Sequence, residues 1–360
     1  MATSSLDTDY LVVGAGAMGM AFTDALIDHA EVHVTLVDRR HAAGGHWQDA
    51  YPFVRLHQAS LFYGVASTQL GRGTLQSQGP EAGLQERARQ AEIQTYYDDI
   101  LYRRFIGSGR VTFLGGSEYH ADGNAHRVTS RVSGESIDIN VRRRVVDATY
   151  LAPTIPATTP APFGFADDVR VVAVNELATL ATAPKRYVIV GSGKTATDGI
   201  VWLLTNGVAP DRITWVRPRD PWMLNRAMVQ PDPAVAFGLA ASTMAAAADA
   251  ESLDDLFLRM EAEAVMLRID PEVVPTMAKT PTLGTWELDL LRTVDHVVRL
   301  GHIKGVTRSE MTLDQGTVPM EPDSLVVHCA ASGLRYPPLV PVWSPVPSAP
   351  FPGPTSSRNA

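Results

Sequence analysis

One local grammar occurs twice in the 360 residues and constrains the fold more than anything else in the chain. Asp9 to Met20 reads as an apolar strand, a glycine-rich turn and the start of a helix through Ala25 and Leu26, and a second strand follows from Val32 to Asp38. Arg186 to Asp198 repeats the order, with a helix through Leu204 and a strand from Ile213 to Arg217. Each is the opening of a βαβ unit. In the first copy Gly14-x-Gly16-x-x-Gly19 supplies, in order, a tight turn, a backbone that a pyrophosphate can approach, and a close helix–strand contact. The amides at the helix start, those of Ala17 and Met18 among them, would face the phosphates. Asp38 stands 24 residues after Gly14, at the end of the next strand, where a carboxylate accepts hydrogen bonds from a ribose diol, with Arg39 beside it. Strand, turn, helix and acid together predict an ADP-containing dinucleotide; the plainer reading is a glycine turn that holds no ligand.

The second copy reads Gly191-x-Gly193-x-x-Ala196, with alanine where only close packing is demanded and with Lys194 and Thr195 at the head of its helix. Its second strand ends in Val216-Arg217-Pro218-Arg219, and no carboxylate takes the place that Asp38 has in the first copy. Arginine there suits a 2′-phosphate that an acid would repel, so the second ligand is expected to be NADP(H); otherwise Arg217 and Arg219 are solvated surface charges. Gly193-Lys194-Thr195 also invites a P-loop reading, but that motif needs glycine at position 188, which is Val188. Two dinucleotide sites in one chain imply electron transfer between two redox cofactors, which the protein positions and shields from water.

Between the copies, Ala91 to Phe105 is predicted helical, with Ile93, Tyr97, Ile100, Leu101 and Phe105 at near-helical spacing. Arg110 to Ala148 alternates around Gly, Asn and Asp turns like a small antiparallel addition, and four prolines from Pro153 to Pro162 mark a linker. From Pro221 to Leu300 Ala, Met, Leu and acidic residues recur with helical periodicity, an insertion that packs as a subdomain or covers a ligand. Within it Ala234 to Ala248, 15 uncharged residues, falls short of the ~20 that span a bilayer. After Gly333 eight prolines fall in 27 residues, which predicts poor order.

Composition removes several classes of function. With 31 basic against 39 acidic side chains and a formal charge of -8, the chain lacks the basic excess of a nucleic-acid or anionic-membrane binder. Asp7 and Asp9 precede the first apolar run with no basic residue ahead of it, the wrong order for a secretory signal. The single cysteine, Cys329, excludes an internal disulfide and a dithiol pair and reads as a small buried hydrophobe, so a cytoplasmic location is expected. No ligand spacing suggests a metal, and no Gly-x-Ser-x-Gly elbow suggests a serine hydrolase. The expected partner is a small-molecule substrate, and the sequence is compatible with a homo-oligomer.

These motifs resemble those of the flavoproteins with two dinucleotide-binding domains, in particular the flavin-containing and Baeyer–Villiger type monooxygenases. Gly14 to Gly19 with Asp38 is similar to their FAD site. Gly44-Gly45-His46-Trp47, followed by Ala50-Tyr51-Pro52-Phe53-Val54-Arg55, resembles their GGxW…YPxxR segment, which lies along the FAD and makes Gly45, His46, Trp47 and Arg55 candidate contacts. Val145 to Pro153, with Ala148 and Thr149, and Asp323 to Gly333 resemble the ATG-type strand ends where the chain passes between domains; Gly191 to Asp198 looks like the NADPH site. The matches run from about residue 9 to 334.

The resemblance implies an α/β fold of two Rossmann-like, FAD/NAD(P)-binding domains with a helical insertion. Residues 1–155 would form the first part of the FAD domain, 156–330 the NADP domain with the insertion at about 221–300, and 331–360 a short Pro-rich return to the FAD domain. It implies FAD and NADP(H) as cofactors, with NADPH reducing FAD and the reduced flavin activating O₂ to oxygenate a heteroatom or insert oxygen beside a ketone. Three departures stand out: Tyr150 replaces the glycine of the first ATG-type end, Phe163 to Leu177 lacks the histidine of the FxGxxxHxxx(Y/F/W) signature, and the chain turns Pro-rich where the family continues. A truncated or altered return is therefore expected. The reading is a FAD- and NADPH-dependent oxidoreductase, monooxygenase-like, with no side chain assigned as acid or base; its rival is a catalytically impaired FAD/NADP-binding protein. His57, just past Arg55, either faces the flavin or is a packed histidine.

Overall fold

The computed structural model describes residues 4–330 and 337–343 and builds them around two largely parallel sheets. Strand β1 (Ser4–Val13), helix α1 (Ala17–His29) and strand β2 (Val34–Val37) open the first unit. All four residues of β2 are buried, as are Leu11 and Val12, because a parallel sheet covered on both faces leaves no solvated side to alternate toward. Helix α2 (Gln90–Asp99) widens into a π-helical stretch over Ile100–Phe105 and leads to β3 (Val111–Leu114). Ile93, Tyr97, Ile100, Leu101 and Phe105 are all buried in one core with Met20 and Ile27 of α1.

Strands β4 (Ser117–Asp122), β5 (Ala125–Ser130) and β6 (Ser136–Asp147) complete a sheet ordered β3-β2-β1-β6-β5-β4. The antiparallel addition expected over Arg110 to Ala148 is present as β4, β5 and the start of β6, where Ser136–Asp138 pairs antiparallel with Arg127–Thr129. β3 runs parallel to β2, and β6 runs parallel to β1 from Ser4 opposite Ile137 to Val13 opposite Asp147. Turn residues mark where a chain reverses, not which further neighbour a strand takes, so β3 reads as a hairpin arm and the parallel pairing of β6 with β1 goes unannounced.

The linker at Pro153–Pro162 carries no strand and one tight helical turn, Pro156–Thr158. Strands β7 (Arg170–Ala173) and β8 (Arg186–Val190), helix α3 (Lys194–Thr205) and strand β9 (Ile213–Val216) then open the second unit. The insertion holds β10 (Pro221–Asn225), α4 (Pro233–Asp249), α5 (Leu253–Ala262), β11 (Met266–Arg268), β12 (Met277–Leu283) and α6 (Thr285–Leu291). Besides its helices it carries a three-stranded sheet of its own, β11-β10-β12, with Trp222 stacked on Phe257 at 5.6 Å. Strand β13 (Val297–Val298) returns to the main sheet, β14 (Ile303–Val306), β15 (Glu310–Leu313) and β16 (Gly316–Pro319) form a meander, and β17 (Ser324–His328) enters the centre. The resulting order, β7-β17-β8-β9-β13, is parallel throughout.

Both glycine turns sit at the carboxyl ends of parallel strands, where open α/β sheets bind ligands. The segment that resembles GGxW…YPxxR joins the two units. Tyr51 and Val54 belong to the second unit's core, Trp47 packs on both cores, and Phe53 stacks on Trp202 of α3 at 4.6 Å. Residues 337–343 lie against the first unit, with the Tyr150 hydroxyl donating to the Pro338 carbonyl and the Arg144 guanidinium 5.4 Å from the Trp343 ring centre. The remainder of the Pro-rich tail, with residues 331–333 of the second ATG-like segment, lies outside the described residues. No helix among the described residues is long and apolar enough to cross a membrane.

Candidate nucleotide sites and the interface between them

Sterics and backbone conformation demand glycine at three places of the first cradle, Gly14, Gly19 and Gly45. Gly14 has φ +103°, and a Cβ there would lie 2.7 Å from Thr149 Cγ2. A Cβ on Gly19 would lie 1.8 Å from the Gly14 carbonyl oxygen, so its absence sets how closely α1 lies on β1. Gly16 caps α1 without a side-chain partner, and Ala17 and Met18 are exposed, so the first helical amides are open to an anion. Gly45 closes the cradle from the other side: its φ is +59°, and a Cβ would come within 2.9 Å of Gly16 Cα. The Gly44 amide donates to Ala15 O at 2.8 Å, which ties that loop to the cradle.

Asp38, buried at the end of β2, accepts from the Ala15 amide at 2.7 Å and from the Arg40 amide at 2.8 Å. Each oxygen keeps a lone pair, so the carboxylate braces the turn and still has acceptor capacity for a diol. Arg39 beside it is exposed. Ala148 and Thr149 stand over Gly14; the Ala148 amide donates to Val13 O at 2.9 Å, and Asp147 accepts from both the Thr149 amide and hydroxyl. His46 packs against Trp47 with ring centres 5.0 Å apart and planes tilted by 31°, and burial, then Arg40, holds its pKa low. Arg55 lies further along, bridged to Arg89, with its pKa lowered by burial and then by Arg89 and Arg87.

The second cradle repeats the plan with different charge. Gly191 has φ +133° and lies against Cys329, and its carbonyl accepts from Trp215 Nε1 at 2.7 Å. Gly193 caps α3, and Ala196 is fully buried on the helix–sheet contact. Lys194 turns inward, onto Asp198, so only its backbone belongs to the cradle. Thr195 is half-buried in the same turn. Arg217, expected at the end of β9 to meet a 2′-phosphate or else to be a solvated charge, is buried instead. Its side chain is 2% exposed, its guanidinium stacks on Trp215 at 4.5 Å, and Nη2 pairs with Asp220 at 2.9 Å; burial lowers its pKa to about 10. The cations that remain outside are Arg219, which is exposed, and Lys279 of β12, whose Nζ lies 3.6 Å from the Cβ position of Gly193. Lys279 has its pKa lowered by burial and then by Arg219, which places the two in one electrostatic neighbourhood.

Between the cradles lies a buried cluster that no motif announces. From the first unit come Tyr51, Glu81 and Arg87; from the second, Lys194, Asp198, Arg226 and Glu287. Arg87 donates to Glu81 at 2.7 and 3.0 Å, Arg226 bridges Glu81 and Glu287 (2.7 Å to the latter), and Tyr51 donates to Asp198 at 2.7 Å. Three cations meet three carboxylates, so the cluster is neutral as a whole. Burial raises Glu81, but Arg87 and Arg226 outweigh it and bring its pKa down to about 2. Burial lowers the pKa of Lys194 and, with Asp198, raises that of Tyr51 well above the phenol value. Burial also raises the Cys329 thiol, which leaves it protonated and inert.

Comparison with known proteins agrees with this architecture. Residues 12–64 match the family described as NAD(P)-binding Rossmann-like domain. Uncharacterized proteins of Mycobacterium bovis and Mycobacterium tuberculosis are each 44% identical over 342 residues, covering 94% of this chain and 63% of the relative. The chain thus spans less than two thirds of the length of the curated relatives it matches. Among solved structures, open cyclohexanone monooxygenase superposes with a TM-score of 0.57 at 18% identity over 92% of this chain and 74% of that one. Oxidized steroid monooxygenase bound to NADP gives 0.56 at 14%, over 91% and 72%. A variant of a flavin monooxygenase from Stenotrophomonas maltophilia gives 0.53 at 17%, over 92% and 80%. The chain has the α/β, two-unit dinucleotide-binding fold of these monooxygenases.

Proposed function

We propose that this chain is an FAD- and NADPH-dependent oxidoreductase of the monooxygenase type, acting on a small-molecule substrate, with FAD on the first cradle and NADPH on the second. The observation that carries the reading is the pairing of two glycine cradles with opposite charge beside them: Asp38 at the first, Lys279 and Arg219 at the second. An acid at the end of the second strand accepts a ribose diol and repels a 2′-phosphate, whereas cations there attract one. The cyclohexanone, steroid and flavin monooxygenases that share the fold support the class.

Each chain element has a part in this. The α1 amides and the Gly44–Gly45 loop would enclose a pyrophosphate, with Asp38 on the ribose, Arg39 flanking it, and Ala148 and Thr149 over the turn. At the second cradle the α3 amides take the pyrophosphate, and Lys279 and Arg219 take the 2′-phosphate that the sequence alone assigns to Arg217. Arg217 and its partner Asp220 instead hold the strand end, with Arg299 donating to Asp220 at 2.9 Å. When bound, the two cofactors supply hydride transfer from nicotinamide to flavin and, with O₂, oxygen transfer to substrate. The neutral buried cluster keeps water out of the seam between the units, where the reactive ends would meet.

Purified protein reconstituted with FAD tests the assignment. The reading expects a yellow, stoichiometric complex that Gly45→Val abolishes and Lys279→Ala leaves intact, with the reverse pattern for NADPH affinity. A protein that takes up no FAD, or one in which both variants affect both ligands alike, contradicts it.

A further inference from the structure

Segments 54–56 and 88–90 meet as a short antiparallel ribbon in which Arg55 stands opposite Arg89. The Leu56 amide donates to Ala88 O at 3.0 Å and the Gln90 amide to Val54 O at 3.2 Å, so the two arginines occupy the narrow, non-hydrogen-bonded position of the ribbon. Residues opposed in this way have Cα atoms about 4.5 Å apart and side chains that leave on the same face. Like charges placed there repel each other. Among the described residues neither guanidinium has a hydrogen-bond or ion-pair partner. The nearby carboxylates are engaged elsewhere: Glu81 with Arg87, Arg226 and Trp286, and Glu92 with the Arg89 amide at 2.7 Å. Arg55 is half-buried, and burial, then the charges of Arg89 and Arg87, lowers its pKa. Two positive charges are thus left over beside a cluster that is itself neutral.

Val54, Leu56 and Ala88 belong to the hydrophobic cores, and alternation puts Arg55, Arg87 and Arg89 on the opposite face of the ribbon. Arg87 reaches from that face into the cluster between the cradles, with Arg55 within range of its charge, and Arg89 is exposed, so the pair stands at the edge of the seam and is open to a solute. Two adjacent, unpartnered guanidiniums offer a carboxylate or a phosphate several charge-assisted hydrogen bonds, and a bound anion would turn their repulsion into attraction. In the proposed function the cofactors' own phosphates go to the α1 and α3 amides, Lys279 and Arg219. We propose that Arg55 and Arg89 together bind an oxyanion of the substrate, a carboxylate or a phosphate group, so that the substrate is an acid rather than an uncharged molecule. The inference rests on the reading that the cradles hold FAD and NADPH, which leaves the substrate as the source of the anion.

FAD-reconstituted protein carrying ¹⁵N-labelled arginine is titrated with benzoate, phenyl phosphate and benzamide, and Arg55→Gln and Arg89→Gln are compared with wild type. Benzoate or phenyl phosphate should shift the side-chain resonances of both arginines to saturation, and the tighter of the two names the substrate's anionic group. Benzamide, which has the ring without the charge, should leave them unmoved. Either glutamine variant should bind the tighter anion about tenfold more weakly, the loss of one guanidinium's charge-assisted hydrogen bonds. Cofactor-free Arg89→Gln should melt no lower than wild type, because the change removes a repulsion and orphans no partner. Resonances that neither anion moves, benzamide binding as strong as that of benzoate, or glutamine variants that bind both anions as tightly as wild type overturn the proposal while leaving the FAD reading in place. A lower melting temperature for Arg89→Gln makes the pair structural and overturns it too. So does FAD that expels an anion bound to the cofactor-free protein, which gives the pair to the cofactor. If the protein takes up no FAD, the reading of the cradles fails, and the same titration of cofactor-free protein decides the anion seat on its own. Should Arg55→Gln not fold, wild type and Arg89→Gln decide.

Discussion

Replacing Glu81 by glutamine removes a buried carboxylate that donors from both units share. Arg87 reaches it at 2.7 and 3.0 Å, Trp286 Nε1 at 3.2 Å, and Arg226 closes on the same oxygen as Trp286. The two guanidiniums are then left with Glu287, and breaking a buried pair by removing one partner costs about 3–5 kcal/mol. Proton linkage gives a second figure: a fall in pKa from 4.5 to about 2 corresponds to about 3 kcal/mol at ~1.36 kcal/mol per unit. Because the folded value is the depressed one, this stabilisation is fully present above the unfolded value of 4.5 and disappears as the pH falls through about 2. Urea unfolding at pH 7 should therefore find Glu81→Gln about 3 kcal/mol less stable than wild type. The gap should narrow steadily as the same experiment is repeated below pH 4.5. A variant within about 1 kcal/mol of wild type at pH 7, the range of a surface pair, refutes the reasoning. So does a gap that stays constant down to pH 2.

Other consequences are local to each site. Arg217→Ala should leave the nucleotide preference in place and lower the unfolding free energy by about 2 kcal/mol, since it removes one charge-assisted hydrogen bond from buried Asp220, which keeps Arg299; a selective loss of NADPH over NADH binding would return the 2′-phosphate to Arg217. Lys279→Ala combined with Arg219→Ala should weaken NADPH by about tenfold or more and leave NADH unchanged, measured by calorimetric titration. Gly19→Ala should unfold or strongly destabilise the first unit, read by circular dichroism, because its Cβ would lie 1.8 Å from the Gly14 carbonyl oxygen. Cys329 should resist thiol reagents in the native protein and react on addition of denaturant, since burial holds the thiol protonated.

Both cradles are legible in the sequence because their information is local. Glycine at fixed offsets between an apolar strand and a helix states the turn, and Asp38 closes the pattern within one βαβ unit. What the sequence hides is whatever the second and third dimensions supply. Lys279 sits on a strand of the insertion far from Gly193, and nothing near it in the chain signals a ligand. Glu81, Arg87, Arg226 and Glu287 become one cluster only when the two units meet, since each alone reads as an ordinary surface charge. Arg217, read as a 2′-phosphate ligand or else a surface charge, is hidden for the opposite reason: Trp215 and Asp220, two and three positions away, cover it and pair with it. The strands β3 and β6 illustrate the limit for the fold, because local alternation identifies a strand and leaves its partner and direction open.

Anaerobic addition of NADPH to the FAD-reconstituted protein, followed in the visible spectrum, tests the central claim most directly. Two cofactors held on one chain with their reactive ends in a common seam predict rapid bleaching of the flavin band, with NADH far less effective at equal concentration. A flavin band that persists under NADPH contradicts the account, even if both nucleotides bind.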